Sequence, residues 1–140
     1  MFPSAAGGTP AVVIDTNRVL DLWLFDDPQV DALRDAIACG GTRWLAQPAM
    51  REELARVLGY PAVLAQLARR QRTAESVLAA FDRWSHPVPA ADPAPVRCRD
   101  PDDQIFLDLA VAWRARLFSK DLAVLALARR LAPLGVTVER

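Results

Sequence analysis

Short, unbroken apolar runs recur along this chain, separated by amphipathic stretches. Residues 11–14 read A-V-V-I, residues 43–46 read R-W-L-A, and residues 116–119 read R-L-F-S. Runs of this kind are typical of strands that are buried on both faces of a parallel sheet. A short strand near residues 87–89 and a final strand at residues 136–138 would bring the sheet to four to five strands.

The stretches between these runs carry apolar residues at helical spacing. They predict helices at residues 19–24, 30–37, 48–58, 62–67, 73–84, 105–113 and 122–131. Strands that alternate with helices indicate an α/β fold, here a three-layer α/β/α domain with a mostly parallel central sheet. We expect residues 11–140 to form this single domain, with residues 1–10 as a flexible leader that lacks the features of a signal peptide.

Acidic residues stand where such a fold collects its functional groups. Asp15 ends the first predicted strand, and Asp121 comes two residues after Ser119 at the end of another. The carboxyl ends of parallel strands are where open α/β sheets bind their ligands. Asp102 and Asp103 lie in the first turn of a predicted helix. Four acids at such positions suggest a site for a hard divalent cation, because oxygen ligands suit Mg²⁺ and Mn²⁺.

Each acid also has a purely structural interpretation. Asp15 is a good helix N-cap, and Asp102 or Asp103 can simply favour the dipole of its helix. Helix periodicity separates the pair Glu52 and Glu53: Glu52 points away from the apolar stripe into solvent, whereas Glu53 borders it. An acid at such a border needs a cation or a metal as its partner.

The remaining chemistry of the chain is sparse. Lys and Arg together balance Asp and Glu at 17 each, so net charge gives no general attraction to nucleic acid or membrane. Cys39, Cys98 and the single His86 lack the spacing of a zinc site, and free thiols indicate a reducing, cytoplasmic location. We interpret His86 as a loop residue. No apolar run approaches the ~20 residues of a membrane span.

The densest basic run is Arg69-Arg70-Gln71-Arg72. It is either a solvated helix face or a contact for the phosphate backbone of a nucleic acid. Arg69, Arg70, Arg72 and Arg18 are therefore our candidates for RNA binding.

Four segments of the chain resemble PIN-domain ribonucleases, of the kind found as toxins in bacterial toxin–antitoxin pairs. They read V-V-I-D-T-N from residue 12, R-E-E-L-A-R-V-L from residue 51, R-D-P-D-D-Q-I-F-L-D-L-A from residue 99, and L-F-S-K-D-L-A-V-L-A from residue 117. They occur in the family's order and extend over nearly the whole of residues 12–138.

The resemblance implies four metal-binding and catalytic acids, which are Asp15, Glu53, Asp103 and Asp121. Asp102 is the alternative to Asp103, since this segment has one Asp fewer than in many relatives. Asn17 and Ser119 take supporting roles by the same resemblance. Ser119 is a conservative departure, because the family often has threonine at its position.

The implied function is hydrolysis of RNA phosphodiester bonds with one or two Mg²⁺ or Mn²⁺ ions, and with no protein nucleophile. The implied partners are an RNA substrate, a cognate antitoxin and a second copy of the chain. The apolar region Leu20–Phe25 is either the surface of such a dimer or ordinary core. Two alternatives stay open. One is a PIN-like scaffold without activity. The other is a HAD-type phosphatase, whose motif resembles D-x-D, with a second acid two residues after the first. Asn17 stands at that second position and therefore disfavours the phosphatase.

Overall fold

The computed structural model describes residues 9–140, so the predicted leader lies almost wholly outside the described residues. Five strands form one sheet, in the order β3-β2-β1-β4-β5, and every neighbouring pair is parallel. The strands are β1 Ala11–Ile14, β2 Arg43–Ala46, β3 Ser85–Pro87, β4 Arg116–Phe118 and β5 Thr137–Glu139. The central β1 pairs Val12 with Trp44 on one side and Val13 with Leu117 on the other.

Eight helices connect the strands: α1 Thr16–Trp23, α2 Asp31–Ala38, α3 Pro48–Val57, α4 Pro61–Arg69, α5 Ala74–Trp84, α6 Gln104–Trp113, α7 Leu122–Leu125 and α8 Ala128–Leu131. The chain moves outward from β1 to β3, crosses back through α6 to β4, and then moves the opposite way to β5. Right-handed crossovers therefore place α1–α5 on one face of the sheet and α6–α8 on the other. This is the predicted three-layer α/β/α domain, and all four residues of β1 are buried at its centre.

The direction of the connections reverses between β1 and β4. The chain leaves β1 toward β2, and it leaves β4 toward β5 on the opposite side. Such a reversal opens a crevice at the carboxyl ends of the two adjacent strands, which is where open α/β sheets bind ligands. Asp15 directly follows β1, and Ser119 directly follows β4. The topology thus brings two distant parts of the sequence to the same crevice.

Two predicted elements and the assignment of one residue differ clearly from the structure. The strand expected near residues 87–89 lies at Ser85–Pro87, because α5 runs directly into it. His86 is therefore an exposed residue of an edge strand, paired with Leu45, and not a loop residue. The single helix expected at residues 122–131 is two short helices, α7 and α8, and the bend between them keeps Leu127 buried.

Candidate active site

Asp15 is the most deeply buried acid of the crevice, with 4% of its surface exposed. It caps α1: its Oδ1 accepts a hydrogen bond of 3.0 Å from the Arg18 amide. Its Oδ2 accepts one of 2.5 Å from the Ser119 hydroxyl. Burial raises the pKa of Asp15, and these two hydrogen bonds oppose the rise. The N-cap of α1 and the acid selected by the resemblance are therefore the same side chain, and hydrogen bonds hold both of its oxygens.

Ser119 joins two of the acids, although it lies 104 residues after Asp15. It is fully buried, and its Oγ also accepts a hydrogen bond of 3.1 Å from the Asp121 amide. Asp121 in turn caps α7, because its Oδ1 accepts from the Ala123 amide at 2.8 Å. Ser119 thereby fixes both the Asp15 carboxylate and the backbone that carries Asp121.

Glu53 reaches the crevice from α3. It is half-buried while its neighbour Glu52 is exposed, as the helix periodicity predicts. The Thr16 hydroxyl donates a short hydrogen bond to Glu53 Oε2 and so links α1 to α3. Burial raises the pKa of Glu53, and the nearby Asp102 carboxylate adds to the rise.

The tightest group of acids among the described residues is Asp100, Asp103 and Asp121, each with an oxygen within 4.8 Å of the others. Asp103 is half-buried, and its Oδ2 is shielded from solvent with no hydrogen-bond partner. Burial and the adjacent Asp121 carboxylate raise the pKa of Asp103 to about 8. Asp102 is exposed at the edge of the site. This geometry favours Asp103 over Asp102.

All of these acids line one open cavity of about 200 Å³. Its wall includes the four acids inferred from the resemblance, the alternative Asp102, and the exposed Asn17. It also includes residues that sequence reasoning did not place there: Asp100, Arg56, Val57, Tyr60 and Phe106. Asp100 is an N-cap, since its Oδ1 accepts from the Asp102 amide at 3.0 Å. The density of acids in R-D-P-D-D is the sequence feature that could have indicated its place in the cavity.

The donor set fits a divalent cation. A buried carboxylate oxygen without a partner is costly, and Asp103 Oδ2 is such an atom beside two further carboxylates. The side chains of this trio present only oxygen ligands, which suits a hard cation such as Mg²⁺ or Mn²⁺. Asp15 and Glu53 line the same cavity outside this closest trio. Asp103 and Asp121 are thus better placed than Asp15 for direct contact with an ion.

A network of ion pairs links the two segments that carry Asp15 and Asp121. Arg18, with 2% of its surface exposed, donates from Nη1 to Asp21 Oδ2 at 2.9 Å. Lys120, which lies between Ser119 and Asp121, contacts the same Asp21 oxygen at 2.6 Å. Asp21 therefore ties the β4–α7 segment to α1. Arg18 was a candidate for RNA contact, but its burial assigns it to this network instead.

The basic run at the end of α4 also has a structural role. Arg72 donates to the carbonyl of Trp23 at 2.8 Å and pairs with Asp26, and Arg70 stacks over the ring of Phe25. These contacts lie at the C-terminal end of α1, which is roughly 12 Å along the helix from Asp15. Arg70 and Arg72 therefore hold α4 against α1, away from the acids, while Arg69 is exposed.

The apolar region Leu20–Phe25, considered as a dimer surface, is mostly part of the core. Leu20, Leu22 and Leu24 are each no more than 4% exposed, and Trp23 and Phe25 pack partly buried against them. The structure thus supports the alternative that this region is ordinary core.

An all-parallel α/β sheet with clustered carboxylates in a cavity at its reversal point defines the class of α/β proteins with a candidate site for a divalent cation. Residues 11–118 match the PIN domain family, more than three quarters of the chain, so the chain belongs to the PIN-domain family. PIN domains are generally metal-dependent nucleases. Among curated proteins, none matches the chain. The family match ends at Phe118, so the assignment of Ser119 and Asp121 rests on the geometry described above.

Among the described helices, none combines the length and the apolar character that crossing a bilayer requires.

Proposed function

We propose that this PIN domain is a metal-dependent endoribonuclease and the toxin component of a bacterial toxin–antitoxin pair. Mg²⁺ or Mn²⁺, as one or two ions, is the cofactor, and RNA is the substrate. The observation that carries the proposal is the cavity itself. Carboxylates from four separate segments converge there around Asp103, whose inner oxygen has no hydrogen-bond partner.

Asp103, Asp121 and Asp100 are the residues that would hold the ion, with Asp15 and Glu53 facing it directly or through water. A bound divalent ion neutralises phosphate charge, lowers the pKa of a water and stabilises the departing oxygen. The protein supplies orientation. Ser119 and the Arg18 amide fix Asp15, and Thr16 fixes Glu53.

Two further side chains at the cavity suit a nucleic-acid substrate. Arg56 provides a positive charge on the wall next to Glu53, and Tyr60 exposes 48% of its surface at the same cavity. Exposed aromatic rings stack on unpaired bases, so a single-stranded RNA is the better substrate for this open, narrow site.

Cleavage of an unstructured RNA with Mg²⁺ or Mn²⁺ tests the enzymatic proposal. Glu53→Gln and Glu52→Gln form a matched pair on one helix, since only Glu53 faces the cavity. We expect Glu53→Gln and Asp15→Asn to reduce kcat by about 100-fold or more, and Glu52→Gln to cleave like the unmodified protein. EDTA should abolish cleavage.

Cleavage that survives both EDTA and Asp15→Asn would overturn the metal-acid mechanism. No cleavage across a broad RNA panel would favour the inactive scaffold, and a phosphorylated Asp15 after incubation with a phosphomonoester would favour the phosphatase. The toxin role is tested by induced expression in bacterial cells. Growth arrest by the intact protein, but not by Asp15→Asn, supports it, and normal growth with both contradicts it.

A further inference from the structure

A second concave surface adjoins the acidic cavity. It is a groove of about 440 Å³, a volume within the range of ordinary ligand pockets. Residues of the segment before α6 and of α7 and α8 line it: Arg97, Cys98, Arg99, Leu122, Ala123, Ala126, Leu127 and Arg130.

The groove and the cavity share their border. Arg99 and Leu122 line the groove, while their direct chain neighbours Asp100 and Asp121 line the cavity. The two concave surfaces are therefore adjacent, so a ligand whose phosphate lies among the acids would have the groove as its nearest extension. The eight residues that line the groove, from Arg97 to Arg130, form what we call the basic groove.

The charge of the basic groove is positive and unneutralised. Arg99 and Arg130 are exposed, and neither forms an ion pair within residues 9–140. Arg97 approaches Asp108 only at 3.8 Å and keeps 62% of its side chain exposed. These arginines differ from Arg70 and Arg72, which contact the end of α1. The unpaired cations of the groove are thus not those of the run that the sequence singled out.

An apolar surface lies between these cations. Leu122 is 76% exposed, the highest exposure among the large hydrophobic residues of the described chain. The exposed Ala126 continues this surface along the groove. An exposed apolar residue among arginines suits single-stranded nucleic acid, because the phosphates pair with the cations and unstacked bases can stack on the guanidinium planes.

We propose that the basic groove binds the backbone and one base of single-stranded RNA next to the phosphate that lies in the acidic cavity. The inference rests on the proposed ribonuclease function and specifies how the substrate extends beyond the scissile bond. Arg99 and Arg130 bind flanking phosphates, and Leu122 contacts a base. An acidic peptide offers carboxylates for the arginines but no bases to stack on their guanidinium planes, so RNA fits the groove better.

Two double variants with equal charge test the groove. Arg99→Gln/Arg130→Gln removes its unpaired cations. Arg129→Gln/Arg140→Gln removes two exposed arginines outside it, one of them adjacent to Arg130 on α8. Binding of a fluorescent single-stranded RNA is measured by anisotropy with Ca²⁺ in place of Mg²⁺, and a gel confirms that the RNA stays intact. A poly-glutamate peptide serves as the second probe.

We expect the groove variant to raise Kd for RNA by at least about tenfold at 0.1 M salt. It should also reduce the slope of log K against log salt by about 1.4, because two phosphate contacts are lost. The control variant should change Kd by less than about twofold. In cleavage assays the groove variant should raise KM with kcat retained, because the lost contacts bind substrate and transition state alike.

Equal RNA affinity of the two double variants would overturn the proposal, as would an unmodified protein that binds no RNA. Loss of poly-glutamate binding with RNA binding retained would overturn it in favour of an acidic protein partner. These experiments distinguish a failure of the groove proposal from a failure of the ribonuclease proposal. Groove-dependent RNA binding without cleavage in Mg²⁺ or Mn²⁺ contradicts the enzyme alone, and cleavage with an unchanged KM in the groove variant contradicts the groove alone.

Discussion

Asp103 combines partial burial with the proximity of other acids. Its pKa of about 8 lies far above the ordinary value of 3.8, because burial and the neighbouring Asp121 both disfavour its charged form. Between these two pH values the folded, metal-free protein binds more protons than the unfolded chain. The contribution of Asp103 to stability is therefore fully present below pH 4 and is lost as the pH rises through 8.

The metal-free protein should accordingly become less stable as the pH rises from 5 to 8. Asp103→Asn removes the ionisable group, so it should flatten this dependence and raise stability at pH 8 by at least about 1 kcal/mol, or roughly 3 °C in Tm. Thermal unfolding in EDTA across this pH range measures both effects. Asp82→Asn, on the exposed surface, is the control. A pH dependence that persists in Asp103→Asn contradicts this assignment.

Ser119 acts on metal binding without contacting an ion in our proposal. Ser119→Ala removes the hydrogen bonds to Asp15 and from the Asp121 amide, so we expect Mn²⁺ affinity to fall by about 10–100-fold. Ser119→Thr keeps the hydroxyl and should restore most of the affinity. Calorimetric titration with Mn²⁺ measures this. Equal affinity in the alanine variant would show that Asp15 and Asp121 are positioned without Ser119.

Single residues differ in how far the sequence specifies them. Glu53 could be separated from Glu52 because both lie on one helix, whose periodicity is a local property. Asp103 could not be separated from Asp102, because the difference depends on Asp121, which approaches from another strand. The burial of Arg18 was likewise not predictable: its partner Asp21 is three residues along the same helix, but the packing that encloses the pair arises only in the folded chain.

At the scale of elements, α1 and the β4–α7 segment are joined through Asp21. Asp21→Asn would leave the buried Arg18 with only the more distant Asp27, 4.0 Å from its Nη1, as counter-charge, at a cost of about 3 kcal/mol in the free energy of unfolding. Lys120→Gln should cost about 1 kcal/mol or less, because the Lys120 side chain is 36% exposed. Urea denaturation of the two variants provides the comparison, and equal losses would refute this ranking of the two cations.

Most elements were predictable from local pattern, and the exceptions have a common physical cause. β1 and β2 were predicted with their observed bounds, since each is a short apolar run of four residues. The break between α7 and α8 was not, because residues 122–131 are compatible with one helix and packing against the sheet imposes the bend. The order of the strands likewise follows from the crossover of α6, which no local pattern encodes.

For the whole molecule, a bound cation should act as a stabiliser. An ion that binds only the folded state at a concentration 100 times its Kd adds about 2.7 kcal/mol, which corresponds to roughly 5–10 °C in Tm. We therefore expect Mn²⁺ to raise Tm in the unmodified protein and in Glu52→Gln, but far less in Asp103→Asn. Differential scanning fluorimetry measures the shift. An equal shift in all three proteins would place the bound ions elsewhere.

The hydrogen bond between Ser119 and Asp15 has a consequence for the order in which the chain folds. The two residues are 104 positions apart, and the strands that carry them, β1 and β4, are direct neighbours. Contacts between such distant segments form late, because the intervening loop must first be closed. A chain that has folded only its first half holds Asp15 but lacks Asp103 and Asp121. The recovery of nuclease activity during refolding should therefore follow the slowest structural phase, so that no partly folded species cuts RNA.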